Sequence, residues 1–152
     1  MGRRSTRSSE LAALPLFAAC SPGELEAAGS LLTQLDIPAG VRLIGEGLLG
    51  HEFFVILDGE AAVTAGLPED QRVLAVLSHG DFAGEMSLLA RAPRSATVTA
   101  LTPLRIYVAS AAEFAGLMEL LPTVRSRIVA AAAARQAENN GNGTATITTH
   151  AA

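Results

Sequence analysis

The sequence predicts a mainly β fold with helical ends: an antiparallel, jelly-roll-like β-roll with N-terminal helices and two C-terminal helices. Short apolar runs bounded by turn residues recur at even spacing between residues 34 and 108, which is typical of barrels and sandwiches. Patterns of helical period flank this region on both sides. A chain of 152 residues can bury one sizeable core but not two, so a single domain is expected.

Two helical patterns precede the strands. Leu11, Leu14 and Phe17 fall on one helical face, which predicts the first helix. A second helix begins after Ser21, because Ser21 and Glu24 have the spacing of a capping box and a proline occupies the first turn.

Short strands separated by turns are predicted next, and Asp58-Gly59 is a tight hairpin turn between two of them. The predicted strands cover residues 35–37, 41–44, 52–57, 60–64, 72–77, 95–99 and 104–108.

Two helices follow the last strand. Ser110 is placed to cap the first, over residues 111–120, and Pro122 opens a longer helix that runs to residue 136. An apolar stripe on the longer helix is typical of packing within the chain or of a dimer seam. The stripe consists of Val124, Ile128, Ala131 and Ala132.

The two ends of the chain lack an apolar pattern. Residues 1–8 are rich in Arg, Ser and Thr and are expected to form a disordered leader. Residues 138–152 are rich in Asn, Gly and Thr and are expected to form a disordered tail. The folded domain is therefore expected over residues 9–137.

Composition excludes several classes of function. A net charge of −4 and a pI near 5.3 argue against a nucleic-acid partner, and no apolar stretch approaches the length of a membrane span. The single cysteine, Cys20, fits a reducing compartment, so a cytoplasmic location is expected. Three scattered histidines offer no metal site, and no serine has a histidine and an aspartate in an order typical of a hydrolase. We therefore expect neither catalysis nor a cofactor.

The segment between the fifth and sixth predicted strands is unusual for a hairpin. Gly84 permits close approach of the backbone, and residues 85–90 favour a single helical turn with exposed N-terminal amides. Pro93 fixes a bend, and Arg94 follows it, where a guanidinium can bind the same anion. A carboxylate at Glu85, beside an anion site, suits a ligand that also offers a hydroxyl.

This segment resembles the phosphate-binding cassette of the cyclic-nucleotide-binding domain family. The likeness rests on FAGEMSLL at residues 82–89 and PRSATV at residues 93–98, and it extends to about residues 10–136. The family includes kinase regulatory subunits, gated channels and bacterial catabolite-activator-type regulators, and the present chain resembles a stand-alone bacterial-type member.

The resemblance implies a set of ligand-binding residues. Glu85 would hold the ribose 2′-hydroxyl, near the carbonyl of Gly84, and Arg94 would pair with the cyclic phosphate. Backbone amides would assist it, and they belong to Met86, Ser87, Ser95 and Ala96. The purine of family members meets a lid from the C-terminal helix, for which the candidates are Arg125, Arg127 and Ile128.

Two departures from the family pattern stand out: an extra residue, Ala83, between Phe82 and Gly84, and the residue at position 51. Many members have an aspartate that braces the phosphate arginine, where this chain has His51. Glu52 is the nearest substitute, but its side chain is expected to alternate to the other face of the strand.

The expected function is to sense a cyclic purine mononucleotide, cAMP or alternatively cGMP, and to signal through the C-terminal helix to an effector or a second copy. Ser95 leaves the choice of nucleotide open, because its hydroxyl suits a guanine amino group or the cyclic phosphate. Two alternatives stay open: a domain of this fold that has lost its ligand, and a structural ion pair between Glu85 and Arg94. A transcription regulator is less favoured, since it would need a helix-turn-helix after the last helix.

Overall fold

Eight short strands form two antiparallel sheets of four strands each. The computed structural model describes residues 3–48, 51–91 and 93–142, and the side chains of residues 7–48, 51–91 and 93–137. The strands are β1 (Thr33–Ile37), β2 (Arg42–Ile44), β3 (Glu52–Asp58), β4 (Ala61–Ala65), β5 (Arg72–Leu77), β6 (Phe82–Ala83), β7 (Thr97–Ala100) and β8 (Leu104–Ser110). One sheet has the order β1-β8-β3-β6 and the other β2-β7-β4-β5, which confirms the predicted fold class.

Helices lie before and after these sheets and within the long connection between β6 and β7. They are α1 (Arg3–Ala12), α2 (Pro22–Leu31), α3 (Glu85–Ala90), α4 (Ala111–Leu120) and α5 (Pro122–Asn142). Helix α2 begins with the capping box expected at Ser21, and α4 begins with a capping box at Ser110, where a cap was expected. Ser21 Oγ accepts from the amide of Glu24 at 3.2 Å and Ser110 Oγ from that of Glu113 at 3.1 Å, and both glutamates return the bond.

The structure differs from the prediction at both ends of the chain. Helix α1 begins at Arg3, within the segment assigned to a disordered leader. Arg7 Nη1 donates to the carbonyl of Gly29 at 2.9 Å, which ties this helix to α2. Helix α5 continues to Asn142, past the domain limit expected at residue 137. The remainder of the expected tail, residues 143–152, lies outside the described residues.

Strand β3 separates two apolar clusters. Its side chains alternate, so Phe53 and Val55 pack against the helices while Phe54 and Ile56 point between the two sheets. Strand β8 beside it alternates in the same way, with Tyr107 on the helical side. The sheet β1-β8-β3-β6, called the central sheet below, therefore has apolar packing on both faces.

The C-terminal helices belong to the helical cluster. Val124 and Ile128 of the predicted apolar stripe are fully buried there, and Ala131 packs partly against it. The stripe is therefore used for packing within the chain. Among the described residues, no helix has the length and apolar character that crossing a membrane would require.

The two-residue strand β6 was not expected from sequence. Phe54 and Val55 of β3 pair with Ala83 and Phe82, which fixes the start of α3 against the edge of the central sheet. Helix α3 thus begins directly at the end of a strand, and the residues around that junction form the site described next.

Candidate functional site

A pocket lies where the open end of the two sheets meets α3 and the start of β7. It combines apolar strand residues with the residues for which ligand contacts are expected from sequence. Its lining consists of Ile44, Val63, Leu77, Phe82, Ala83, Gly84, Glu85, Met86, Ser87, Arg94, Ser95, Ala96 and Arg135. The seven expected ligand residues are therefore brought together in one place, and Arg135 joins them from α5.

Arg94 is a buried cation with one free nitrogen. The residue is 8% exposed, and its Nη2 donates to the backbone carbonyl of Glu52 at 2.8 Å. Nη1 is buried and has no hydrogen-bond partner among the described residues. Burial lowers the pKa of Arg94, and the nearby carboxylates of Glu85 and Glu52 act in the opposite direction. A buried guanidinium nitrogen without a partner is costly, and an anionic ligand would satisfy it.

Among the described residues, Glu85 likewise has a hydrogen-bond partner for one of its two carboxylate oxygens. The residue is 1% exposed, and its Oε2 accepts from Arg135 Nη1 at 2.6 Å. Oε1 is buried and, within the described part of the chain, lacks a hydrogen-bond partner. A ligand hydroxyl is the natural donor to such an oxygen, because an ionised carboxylate only accepts.

Arg135 connects the last helix to the pocket. Besides its ion pair with Glu85, its Nη2 donates to the carbonyl of Phe82 at 3.1 Å. Its guanidinium lies 5.2 Å from the centroid of the Phe82 ring, within the range of a cation–π contact. Arg135 therefore attaches the C-terminal part of α5 to the pocket.

Gly84 is required by the backbone geometry of the pocket. It has a φ of 101° and caps the N-terminus of α3. A Cβ atom at this position would lie 2.5 Å from the carbonyl oxygen of Glu52 and 2.8 Å from Arg94 Nη1. Only glycine fits both the left-handed conformation and this close approach.

The three residues expected from sequence to form a lid over the purine are not among the residues that line the pocket. Ile128 is fully buried in the helical cluster, and Arg127 Nη1 donates to the carbonyl of Pro15. Arg125 lines a separate hollow beside α3. Arg135 takes their place at the pocket, and sequence reasoning missed it. The signal was present, because Arg135 follows the buried Ile128 by seven residues and so falls on the same helical face.

The departure at His51 has a structural explanation. His51 is exposed and does not line the pocket. The backbone carbonyl of Glu52 holds the arginine instead, so the direction of the Glu52 side chain does not matter. Sequence patterns of side chains cannot reveal a contact of this kind.

The fold and the pocket together define a class: a β-roll whose pocket offers a guanidinium nitrogen and a neighbouring carboxylate oxygen. The apolar side chains Ile44, Val63 and Leu77 line another part of the same pocket. Within the described ranges, no group of three or more His, Cys, Asp or Glu residues could hold a metal ion.

Comparison with known proteins identifies the family. The model of the cyclic nucleotide-binding domain matches residues 34–120, more than half of the chain. The chain belongs to the cyclic-nucleotide-binding domain family, a regulatory fold, which confirms the resemblance seen in the sequence.

Similar proteins include regulators of two kinds. The chain is 37% identical to a cAMP-dependent protein kinase regulatory subunit of Mycosarcoma maydis, over 64% of this chain and 19% of the relative. It is 30% identical to a cyclic AMP receptor protein of Thermus thermophilus, over 82% of this chain and 58% of the relative. The chain thus spans less than two thirds of the length of these relatives.

A solved structure with the same fold is the regulatory subunit of a cAMP-independent protein kinase A from Trypanosoma brucei. It matches with a TM-score of 0.75 and 21% identity, covering 84% of this chain and 46% of that one. This likeness concerns the fold alone.

Proposed function

We propose that this domain binds a cyclic purine mononucleotide, cAMP in preference to cGMP, and transmits its binding through α5. The observation that carries the proposal is the pair of buried, unpartnered atoms, Arg94 Nη1 and Glu85 Oε1, which line one pocket. A cyclic nucleotide has one phosphodiester charge and one free ribose hydroxyl. It therefore supplies the acceptor that Arg94 lacks and the donor that Glu85 lacks.

The cyclic phosphate would lie between Arg94 and the backbone amides of the cassette. These amides belong to Met86 and Ser87 at the start of α3 and to Ser95 and Ala96 before β7. Arg94 is already fixed by the carbonyl of Glu52, so little side-chain entropy is lost when the phosphate arrives. The 2′-hydroxyl would donate to Glu85 Oε1, while Oε2 keeps its bond to Arg135.

The purine would lie against the apolar side of the pocket. Ser95 is the group placed to distinguish the two purines, and one additional hydrogen bond contributes about 0.5–1.5 kcal/mol. A bond from Ser95 to a guanine amino group would favour cGMP by this amount, so the preference for cAMP is expected to be modest, roughly tenfold at most. Relatives whose names refer to cAMP support this choice of nucleotide.

Helix α5 would change its position when the ligand binds. The free volume of the pocket is about 60 Å³, whereas ligand pockets commonly measure roughly 300–1,000 Å³. A mononucleotide can enter only if the pocket enlarges, and Arg135 is the side chain from α5 that restricts it. Binding would therefore shift α5 relative to α3, and an effector or a second copy that contacts α5 would sense this shift.

Direct titration tests the proposal. The protein is titrated with cAMP and with cGMP by calorimetry, and each nucleotide is then used to displace the other. Saturable one-to-one binding with cAMP favoured is the expected result. Binding of neither nucleotide in a folded protein would instead support the second candidate, a domain of this fold that has lost its ligand. A preference for cGMP would reverse the assignment of the nucleotide.

We further propose that the domain acts in the cytoplasm without catalysing a reaction. Cys20 is the single cysteine of the chain and cannot form an internal disulfide, and burial raises the pKa of its thiol. Fractionation of cells that express the protein tests its location. Recovery outside the cytoplasmic fraction, or loss of nucleotide during incubation, would contradict the proposal.

A further inference from the structure

A second, larger hollow lies beside α3 and shares Ser87 with the nucleotide pocket. Helices α3, α4 and α5 form its walls, and its volume is about 760 Å³. The residues that matter here are His51, Leu89, Arg91, Phe114, Met118 and Arg125. The volume corresponds to that of a small-ligand pocket and admits several side chains at once.

The floor of this hollow is apolar. Phe114 is buried, and Leu88 and Met118 are partly buried against the helical cluster. Leu89 is 40% exposed at its edge. Leucine and methionine grouped on an accessible surface are typical of sites that receive an apolar segment of another protein.

The rim of the hollow is cationic, although the chain as a whole carries a net charge of −4. Arg91 and Arg125 line it, against the single carboxylate of Glu119. Over the described ranges, neither arginine has an ion-pair partner. Acidic groups of a partner would find these cations available, because no internal contact has to be broken first.

Arg91 has a left-handed backbone conformation, which is unfavourable for most residues other than glycine. It caps the C-terminus of α3 with a φ of 51° and a ψ of 43°, and it is the non-glycine residue with positive φ among those described. Glycine or asparagine is the ordinary choice at such a position. A strained residue that also carries an unpaired charge into a hollow indicates a use for its side chain.

We propose that this hollow is a docking surface for an acidic amphipathic helix of a partner protein. Apolar side chains on one face of that helix would lie on Leu88, Leu89 and Met118, and flanking carboxylates would meet Arg91 and Arg125. The combination of an apolar floor with a cationic rim favours this occupant. A nucleic acid would not use the floor, and a basic peptide would be repelled by the rim.

Helix α3 is common to the docking surface and the nucleotide pocket. Ser87 is 6% exposed and lines both, and α5 carries Arg125 at one and Arg135 at the other. If the proposed function holds, nucleotide and partner would alter each other's affinity by the same factor. The docking surface itself does not depend on that function.

The probe is a synthetic helical peptide with leucines on one face and glutamates beside them, compared with the same peptide carrying lysine for every glutamate. Fluorescence anisotropy of the full chain at low salt should give a Kd of about 10–300 µM for the acidic peptide. Binding of the lysine peptide should be weaker by at least about tenfold. No binding of the acidic peptide up to about 1 mM, or equal binding of the two, would overturn the proposal.

Matched variants locate the peptide on the protein. Arg91→Glu combined with Arg125→Glu should weaken the acidic peptide about tenfold or more, and Leu89→Ser should weaken it several-fold. Arg72→Glu makes the same charge change on the exposed start of β5 and should leave the affinity within about twofold. A double variant that binds as the unchanged protein does would place the peptide elsewhere and overturn the proposal.

A final variant separates docking from folding. Arg91→Gly relieves the backbone strain, so the melting temperature should rise by about 1–3 °C while peptide affinity falls. A variant that is more stable and binds the peptide normally would show that Arg91 does not serve docking. Nucleotide titration of the same variants is a separate measurement, so loss of nucleotide binding cannot be mistaken for loss of the docking surface.

Discussion

Arg94 and Glu85 are each fixed by one protein contact and leave one atom for a ligand. Because one atom of each side chain is bound by the protein, two charged side chains can be buried in the pocket and still offer one atom each to a ligand. The carbonyl of Glu52 and the guanidinium of Arg135 supply the fixed contacts. The ligand then meets groups that are already oriented.

Replacing Arg94 tests the proposed anion site. Arg94→Ala removes a buried guanidinium, which costs about 2–5 kcal/mol when its partner stays behind, so nucleotide affinity should fall roughly a hundredfold or more. Calorimetry measures this loss. Arg72→Ala, at an exposed strand position, is the control and should bind normally. A folded Arg94→Ala protein with normal affinity would place the nucleotide in another site.

The hydroxyl site is tested by a pair of ligands. Glu85→Gln keeps the shape of the side chain but weakens the acceptor, so affinity for the natural nucleotide should fall several-fold, by about 1 kcal/mol. Affinity for the 2′-deoxy analogue should change little, because that ligand makes no such bond. Competition binding compares the two. Equal losses would show that Glu85 acts only by holding Arg135.

A substitution that adds one methyl group at Gly84 tests the close approach between its backbone and the carbonyl of Glu52. Gly84→Ala places a Cβ atom against the carbonyl of Glu52 and displaces Arg94 Nη1. The backbone must also hold alanine at a φ of 101°, so stability should fall by about 1–3 kcal/mol and nucleotide affinity should fall with it. Gly23→Ala, where nothing lies within 4 Å of the added atom, is the control for the denaturation measurement.

At the level of elements, helix starts were the features most open to prediction from sequence. The capping boxes at Ser21 and Ser110 act over three residues, so their signal is wholly local. Strand β6 and the position of Arg135 were missed for the opposite reason. Both depend on contacts between segments far apart in the chain, namely β3 with β6 and α5 with α3. Local patterns carry no record of the pairing of β6, and for Arg135 they give the helical face but not the contact with Glu85.

The cap of α4 offers a measurable element-scale effect. Ser110→Ala removes the acceptor for the amide of Glu113, and loss of such a cap typically costs about 1 kcal/mol. Ser126→Ala, on an exposed turn of α5, provides the matched control and should change stability by only a few tenths of a kcal/mol. Urea denaturation distinguishes the two. An equal effect of both changes would show that the cap contributes nothing.

Across the whole molecule, an ion pair connects the first helix to the sheet. Arg105 Nη1 lies 2.6 Å from Glu10 Oε2, and Tyr107 donates to Glu10 Oε1 at 3.0 Å. The hydrogen bond from Arg105 lowers the pKa of Glu10, while partial desolvation acts in the opposite direction. Residues 95 positions apart in the chain are thereby joined.

This contact gives stability a defined dependence on pH. Because the pKa of Glu10 is lower in the folded state, its stabilising effect is present above the unfolded value near 4.5 and is lost as pH falls through the folded value. Glu10→Gln should therefore lower the melting temperature at pH 7 by a few degrees at most, and the difference should be smaller at pH 3. Melting curves at both pH values test this. A difference that is equally large in acid would point to packing rather than charge.

Strands β3 and β8, which have apolar packing on both faces, also determine which parts of the molecule can unfold locally. Amide hydrogens on these strands are shielded by the helical cluster on one side and by the second sheet on the other, so we expect them to exchange with solvent only when the whole domain unfolds. Amides near the end of α5, attached through Arg135, should exchange by local opening. Exchange at β3 would then measure global stability, and exchange at α5 would measure the state of the pocket.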